Sequence, residues 1–275
     1  MISFTAVLVK LVDVGPTAAG FYRNLFGGLS LLVLAMLFGQ RLRVGRRLGL
    51  VMLAAGVFFA LDLFFWHRSI LYIGPGLSTI LANFQVFGLA ILGVVVFRER
   101  LTWRLGISIP LALAGLFLLV GPDWATLPST YKTGVFYGLL TAAVYVGYLI
   151  ALRHSQSRPD RLAPFPNIAL ISLTTAAIMG GMLWAEGGSL AIPNAKSWLI
   201  LLTYGLVCHG LGWALISTAM PRLDASRVGL ILLFQPTLTF IWDILFFHRP
   251  TPPLAAAGAV IALGAIYLGS TARVK

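Results

Sequence analysis

Few side chains in this sequence could do chemistry, and they lie in stretches otherwise built of Leu, Val, Ile, Phe and Ala. Asp62 is followed four residues later by Trp66, so a carboxylate and an indole share one helical face. Such a pair suits a proton site or a substrate ammonium beside an aromatic wall; the alternative is an ion pair of Asp62 with Arg23 or Lys10 that locks helices together. Gln235, Thr239 and Asp243 recur every four residues and draw one polar stripe, with Pro236 near its start and Trp242 beside it. A stripe this polar faces a cavity or a neighbouring helix rather than lipid. Gly205, His209 and Trp213 also repeat every four residues: a small residue, a ring that titrates near neutral pH and an indole that can stack on a planar group. Asn83 shares a face with Thr79, and Tyr145 and Tyr148 share one with Thr141. Each group has two open readings, substrate contact or hydrogen bonding between helices. Together Arg23, Asp62, Trp66, Asn83, Tyr145, Tyr148, His209, Trp213, Gln235, Thr239 and Asp243 form the candidate substrate-binding set, expected around a space between two halves of the chain.

What must position these residues follows from composition. Of 275 residues, 59% are hydrophobic and 10% charged, against roughly 25% charged in soluble domains. Ten apolar segments fill the chain: Ser3–Val12, Thr17–Phe38, Leu48–Trp66, Gly76–Phe97, Thr102–Val120, Thr133–Leu152, Pro164–Trp184, Ser197–Met220, Ser226–Phe247 and Pro253–Ser270. A bilayer core takes ~20 apolar residues per helix, and only helices or closed barrels satisfy the backbone there. The segments lack the two-residue alternation of barrel strands. Ser3–Val12 is shorter than a span requires, which reads as a truncated N-terminus or an internal Met1.

The net charge of +12 is a topology signal rather than a nucleic-acid face. Arg41, Arg43, Arg46 and Arg47, then Arg98, Arg100 and Arg104, Arg153, Arg158 and Arg161, Arg222 and Arg227, and finally Arg273 and Lys275 lie in alternate loops, 14 of the 20 basic residues. The opposite loops hold mainly Lys132, Lys196 and Arg249. The positive-inside bias puts the C-terminus in the cytoplasm and 121–132 outside. Trp103, Trp124, Trp184 and Trp198 sit at span ends as interfacial anchors. The single cysteine, Cys208, lies within an apolar span and reads as a small buried residue.

The chain repeats itself. Leu81-Ala82-Asn83-Phe84-Gln85-Val86 pairs with Ile231-Leu232-Leu233-Phe234-Gln235-Pro236 at an offset of 150 residues, and Phe97 with Phe247 at the same offset. Residues 1–121 and 122–275 are expected to be two five-helix repeats. An odd number of spans inverts the second copy, a recurrent build of secondary transporters. The expected class is thus an all-α integral membrane protein with ten transmembrane helices in two inverted five-helix repeats.

Asn83-Phe84-Gln85, then Phe97-Arg98-Glu99-Arg100-Leu101-Thr102, then Leu113-Ala114-Gly115 resemble the end of the repeat in the EamA family of the drug/metabolite transporter superfamily. There a proline or apolar position precedes the Glu of a basic turn by 13 residues, as Val86 precedes Glu99. Pro236 supplies the proline in the second half, with Arg249 where the Glu is expected. Ala19-Gly20-Phe21-Tyr22-Arg23 is similar to the family's arginine-bearing second helix. The resemblance implies ten helices, alternating access and export of amino acids or related metabolites across the cell inner membrane.

Enzyme signatures are missing: there is no metal-ligand spacing, phosphate-binding glycine loop or GxSxG, and no cofactor is expected. The expected partners are a small-molecule substrate and the lipid bilayer, with protons as a candidate coupling ion and no nucleic acid, in a monomer or homodimer. Uptake of organic cations or sugars is the rival transporter reading. A non-transporting scaffold or lipid-handling subunit is the rival from another class.

Overall fold

The computed structural model describes residues 1–95, 102–219 and 225–271, with the side chains of 219 and 225–232 excepted. Phe97-Arg98-Glu99-Arg100-Leu101, Arg222, Arg273 and Lys275, and the Arg227 side chain, lie outside the described residues. Every regular element described is helical. A 3₁₀ turn, Ile2–Phe4, leads into α1 (Thr5–Leu11). There follow α2 (Pro16–Leu37), α3 (Arg46–Ile73), α4 (Pro75–Ala82), α5 (Gln85–Val95), α6 (Trp103–Val120) and α7 (Ser129–Ser157). After α8 (Pro164–Ala185) come α9 (Ala195–Leu202), a π-helix (Thr203–Leu211), α10 (Gly212–Ala219), α11 (Ala225–Phe247) and α12 (Pro253–Ser270).

Eight of the described helical stretches are long and apolar enough to cross a membrane, and the shorter apolar stretches Ile2–Leu11 and Leu233–Phe247 bring the segments to ten. The chain is an all-helical membrane protein. Four spans open on a proline in the first helical turn, Pro16, Pro75, Pro164 and Pro253, where no amide donor is lost to the helix ladder.

The sixth span is longer than expected at both ends, Ser129–Ser157, and three others differ more in kind. The third runs seven residues past Trp66, to Ile73, because Arg68 and Ser69 continue the helix rather than end it. The fourth is two helices, broken at Asn83-Phe84. Asn83 donates its side-chain amide to the Thr79 carbonyl at 2.8 Å, and its backbone amide reaches both Thr79 and Ile80, which closes α4 before α5 begins at Gln85. The eighth is an α–π–α composite rather than one α-helix.

The chain divides into two compact units, neither of them a sequential half: Met1–His67 with Val144–Arg222, and Arg68–Ala143 with Leu223–Lys275. In the first unit α2 packs along α8 and crosses the π-helix. Gly205 lets the π-helix approach α2 closely: a Cβ there would lie 2.5 Å from Phe26 Cβ and 3.3 Å from the Arg23 carbonyl oxygen. In the second unit α6 packs along α12 and α4 along α11. A Cβ on Gly115 would lie 2.6 Å from the backbone nitrogen of Ala262, and one on Gly258 would lie 2.8 Å from the Gly115 carbonyl, so α6 and α12 meet backbone to backbone. Around that crossing Leu77, Ile80, Leu81, Ala112, Ala262 and Ala265 form the unit's apolar core.

Candidate functional site

Arg23 lies about two turns into α2, 8% exposed, where a charge alone would cost several kcal/mol. Its surroundings supply what lipid cannot. Nε donates to Nδ1 of His209 at 3.2 Å, and Nη1 donates to the Tyr204 hydroxyl at 3.0 Å. The guanidinium carbon lies 5.1 Å from the Tyr204 ring centroid, 5.6 Å from that of Phe59 and 5.8 Å from that of Trp66. These distances are within the ~6 Å reach of cation–π attraction.

The hydrogen bonds assign the protons of both histidines. An arginine Nε–H only donates, so His209 Nδ1 carries a lone pair, and its Nε2–H faces the Ser172 hydroxyl at 2.8 Å. His67 Nδ1 faces the Pro16 carbonyl at 2.8 Å and therefore carries the proton. His67 Nε2 lies 2.8 Å from the Tyr204 hydroxyl. Two imidazoles thus fix two corners of one guanidinium, one directly and one through a phenol.

The π-helix makes this arrangement possible. Tyr204 and His209 are five residues apart, and in an α-helix such residues point about 140° apart. The i→i+5 ladder of a π-helix widens the turn and stacks residue i+5 above residue i. Both side chains then reach Arg23.

Opposite the guanidinium, α3 presents Phe59, Asp62 and Trp66 on one face, with Tyr145 and Tyr148 of α7 beside them. Phe59 stacks on Tyr148 at 4.6 Å between centroids, and Tyr145 lies 5.2 Å from Tyr148. Asp62 is 5% exposed and within electrostatic reach of Arg23, yet its carboxylate makes neither a hydrogen bond nor a direct ion pair among the described residues. The Trp66 indole N–H is buried without an acceptor among the described residues. Buried polar groups are nearly always paired. Here a carboxylate, an indole N–H and the remaining guanidinium donors have no side-chain partner among the described residues.

Seven of the eleven candidates therefore fall in one unit: Arg23, Asp62, Trp66, Tyr145, Tyr148, His209 and Trp213. Trp213 sits 6.5 Å from the His209 ring and packs against the Leu31, Ile168, Ala169 and Ala214 cluster. Sequence reasoning left Phe59, Tyr204 and Ser172 out of the set. Phe59 has helical spacing to Asp62 and Trp66 as a signal; Tyr204 and Ser172 have none.

Asn83, Gln235, Thr239 and Asp243 fall in the other unit. Asn83 bonds to Thr79, and the Thr239 hydroxyl donates to the Gln235 carbonyl at 2.7 Å. Asp243 is 1% exposed. Its Oδ2 accepts from the Gly76 amide at 3.0 Å and from Arg249 Nη1 at 3.3 Å. Arg249 Nη1 also donates to the Ile73 carbonyl at 2.7 Å, and its guanidinium lies 5.7 Å from the Phe240 ring centroid. One carboxylate thus caps the first turn of α4 while one guanidinium caps the last turn of α3. Gly74, with φ of +87°, makes the turn between them; a Cβ there would also lie 2.7 Å from Asp243 Oδ2. After α11, His248 adopts a φ of 50°, the left-handed turn that leads the chain into Arg249.

A many-helix membrane protein with a buried charge cluster has the makings of a solute carrier. The chain belongs to the EamA-like transporter family, which matches residues 1–121 and 132–271. It is 28% identical to an uncharacterized inner membrane transporter, YhbE, of Escherichia coli K12, over 92% of this chain and 82% of that one. It is 27% identical to an uncharacterized transporter of Haemophilus influenzae, over 83% of this chain and 72% of that one. A solved crystal structure shares the fold, with a TM-score of 0.65 at 19% identity, across 98% of this chain and 95% of the other. The protein is a multi-pass membrane transporter.

Proposed function

We propose that this transporter exports amino acids or related zwitterionic metabolites across the inner membrane by alternating access. The carrying observation is the pairing of Arg23 and Asp62 in one aromatic-lined cluster. Opposite charges lie within electrostatic reach of each other without forming an ion pair. A ligand bearing both a carboxylate and an ammonium complements this: the carboxylate meets the donors of Arg23, and the ammonium meets Asp62. Charge-assisted bonds of this kind are about twice as strong as neutral ones. Trp66, Tyr145 and Tyr148 would hold the apolar body.

The spacing of packed helices supports a repeat origin for the two-part build. α4 begins at residue 75 and its packing partner α11 at 225; α6 begins at 103 and its partner α12 at 253. Both offsets equal the 150 residues that separate the two Phe-Gln motifs. In this reading 1–121 and 122–275 are inverted repeats, the C-terminus is cytoplasmic, and a proton gradient or exchange drives the flux.

The test is counterflow in proteoliposomes loaded with a panel of neutral amino acids. Exchange above that of empty vesicles is expected, lost in Asp62→Asn and Arg23→Gln. No exchange with any member of the panel would sink the substrate assignment.

A further inference from the structure

The three rings around Arg23 are also the chemistry that recognises organic cations. Phe59, Trp66 and Tyr204 make three walls, and Asp62 lies between Phe59 and Trp66 on α3, three residues from one and four from the other. A box of aromatic rings with a carboxylate at its rim is how quaternary ammonium groups are held. Here the chain fills the box with a cation of its own, anchored through His209 and Tyr204. We propose that Arg23 sets the charge selectivity of the site: its tethered guanidinium excludes cationic ligands from the aromatic box, and its removal turns the same site into one for organic cations.

This rests on the proposed use of the Arg23–Asp62 cluster for substrate. With Arg23 in place the two formal charges cancel, and a net-neutral ligand leaves the buried site neutral. A monocation would add an uncompensated charge beside the guanidinium and would compete for rings already engaged. Without Arg23 the carboxylate of Asp62 is the only formal charge in the cluster, and the box has room for a quaternary ammonium.

The experiment measures binding of radiolabelled choline and a panel of labelled neutral amino acids to purified protein in nanodiscs. Wild type should show no displacement of a bound amino acid by choline. Arg23→Gln should bind choline about tenfold or more tighter than wild type, with amino-acid binding lost. Asp62→Asn in the Arg23→Gln background should abolish the gain. Three results overturn the proposal: choline displacing an amino acid from wild type, a folded Arg23→Gln with no gain, or a gain that survives Asp62→Asn. Arg23→Met serves if Arg23→Gln does not fold, and the wild-type competition reads the same prediction without any variant. If wild type binds no amino acid, the zwitterion reading fails, while the choline gain in the variant still decides the role of Arg23.

Discussion

Arg23 Nε donates to His209 Nδ1 at 3.2 Å, joining residues 186 positions apart on α2 and the π-helix. The bond requires a neutral His209 with its proton on Nε2, where Ser172 receives it. A protonated ring would set two donors against each other. His209 is therefore an orienting base for the guanidinium.

His209→Phe leaves a buried Arg23 N–H unpaired. Loss of a hydrogen bond to a charged group costs about 1.5–3 kcal/mol. Substrate affinity is expected to fall by about tenfold or more, with a lower melting temperature in detergent. His209→Gln, whose carbonyl can accept from Nε, should recover part of both. Equal affinity in wild type and His209→Phe, measured by scintillation proximity, would remove His209 from the site.

The π register gives a second expectation. Leu206 is 42% exposed and lies between Tyr204 and His209. Inserting one alanine after it lengthens their separation to six residues, which points the two side chains about 120° apart in α geometry, so they no longer share Arg23. Membrane insertion and yield should persist while transport is lost. The substitution Leu206→Ala keeps the register and should keep transport.

Asp243 and Arg249 form a largely buried pair that caps two helix ends, with side chains 2% and 15% exposed. Removing one partner of a buried pair costs about 3–5 kcal/mol, because the other is left uncompensated. Asp243→Ala and Arg249→Ala should each lower the thermal stability of purified protein. The double variant should be less destabilised than the sum of the two, since the pair shares one interaction. Strict additivity in the melting curves would mean that the contact carries no coupling.

The α6–α12 crossing tolerates no side chain at its centre. Gly115→Leu forces apart backbones that a Cβ alone would approach to 2.6 Å. Overpacking costs about 1–3 kcal/mol or more, so this variant should be retained poorly in the membrane and aggregate on size-exclusion chromatography. Gly264, on the partner helix α12, has nothing within 4 Å of an added Cβ. Gly264→Leu should express and migrate like wild type.

The sequence by itself determined the class: a helical membrane protein with apolar segments matching the ten found, proline at the entry of four of them, and Asp62 and Trp66 on one face. These features are local. A lipid environment forces the backbone to bond within each segment, so apolar run length and residue spacing suffice to read them. Tertiary structure decided the rest. The stripe Gln235, Thr239, Asp243 is visible in sequence, but the partners that hold Asp243, Gly76 and Arg249, are not. Tyr204 carried no signal at all, because its partnership with His209 exists only in π geometry and their shared guanidinium comes from a helix some 180 residues earlier. Side-chain spacing along one helix fixes which residues share a face. What that face meets is set by which helices can approach closely, and that depends on the fit of glycines such as Gly27 and Gly205 against partners distant in the chain.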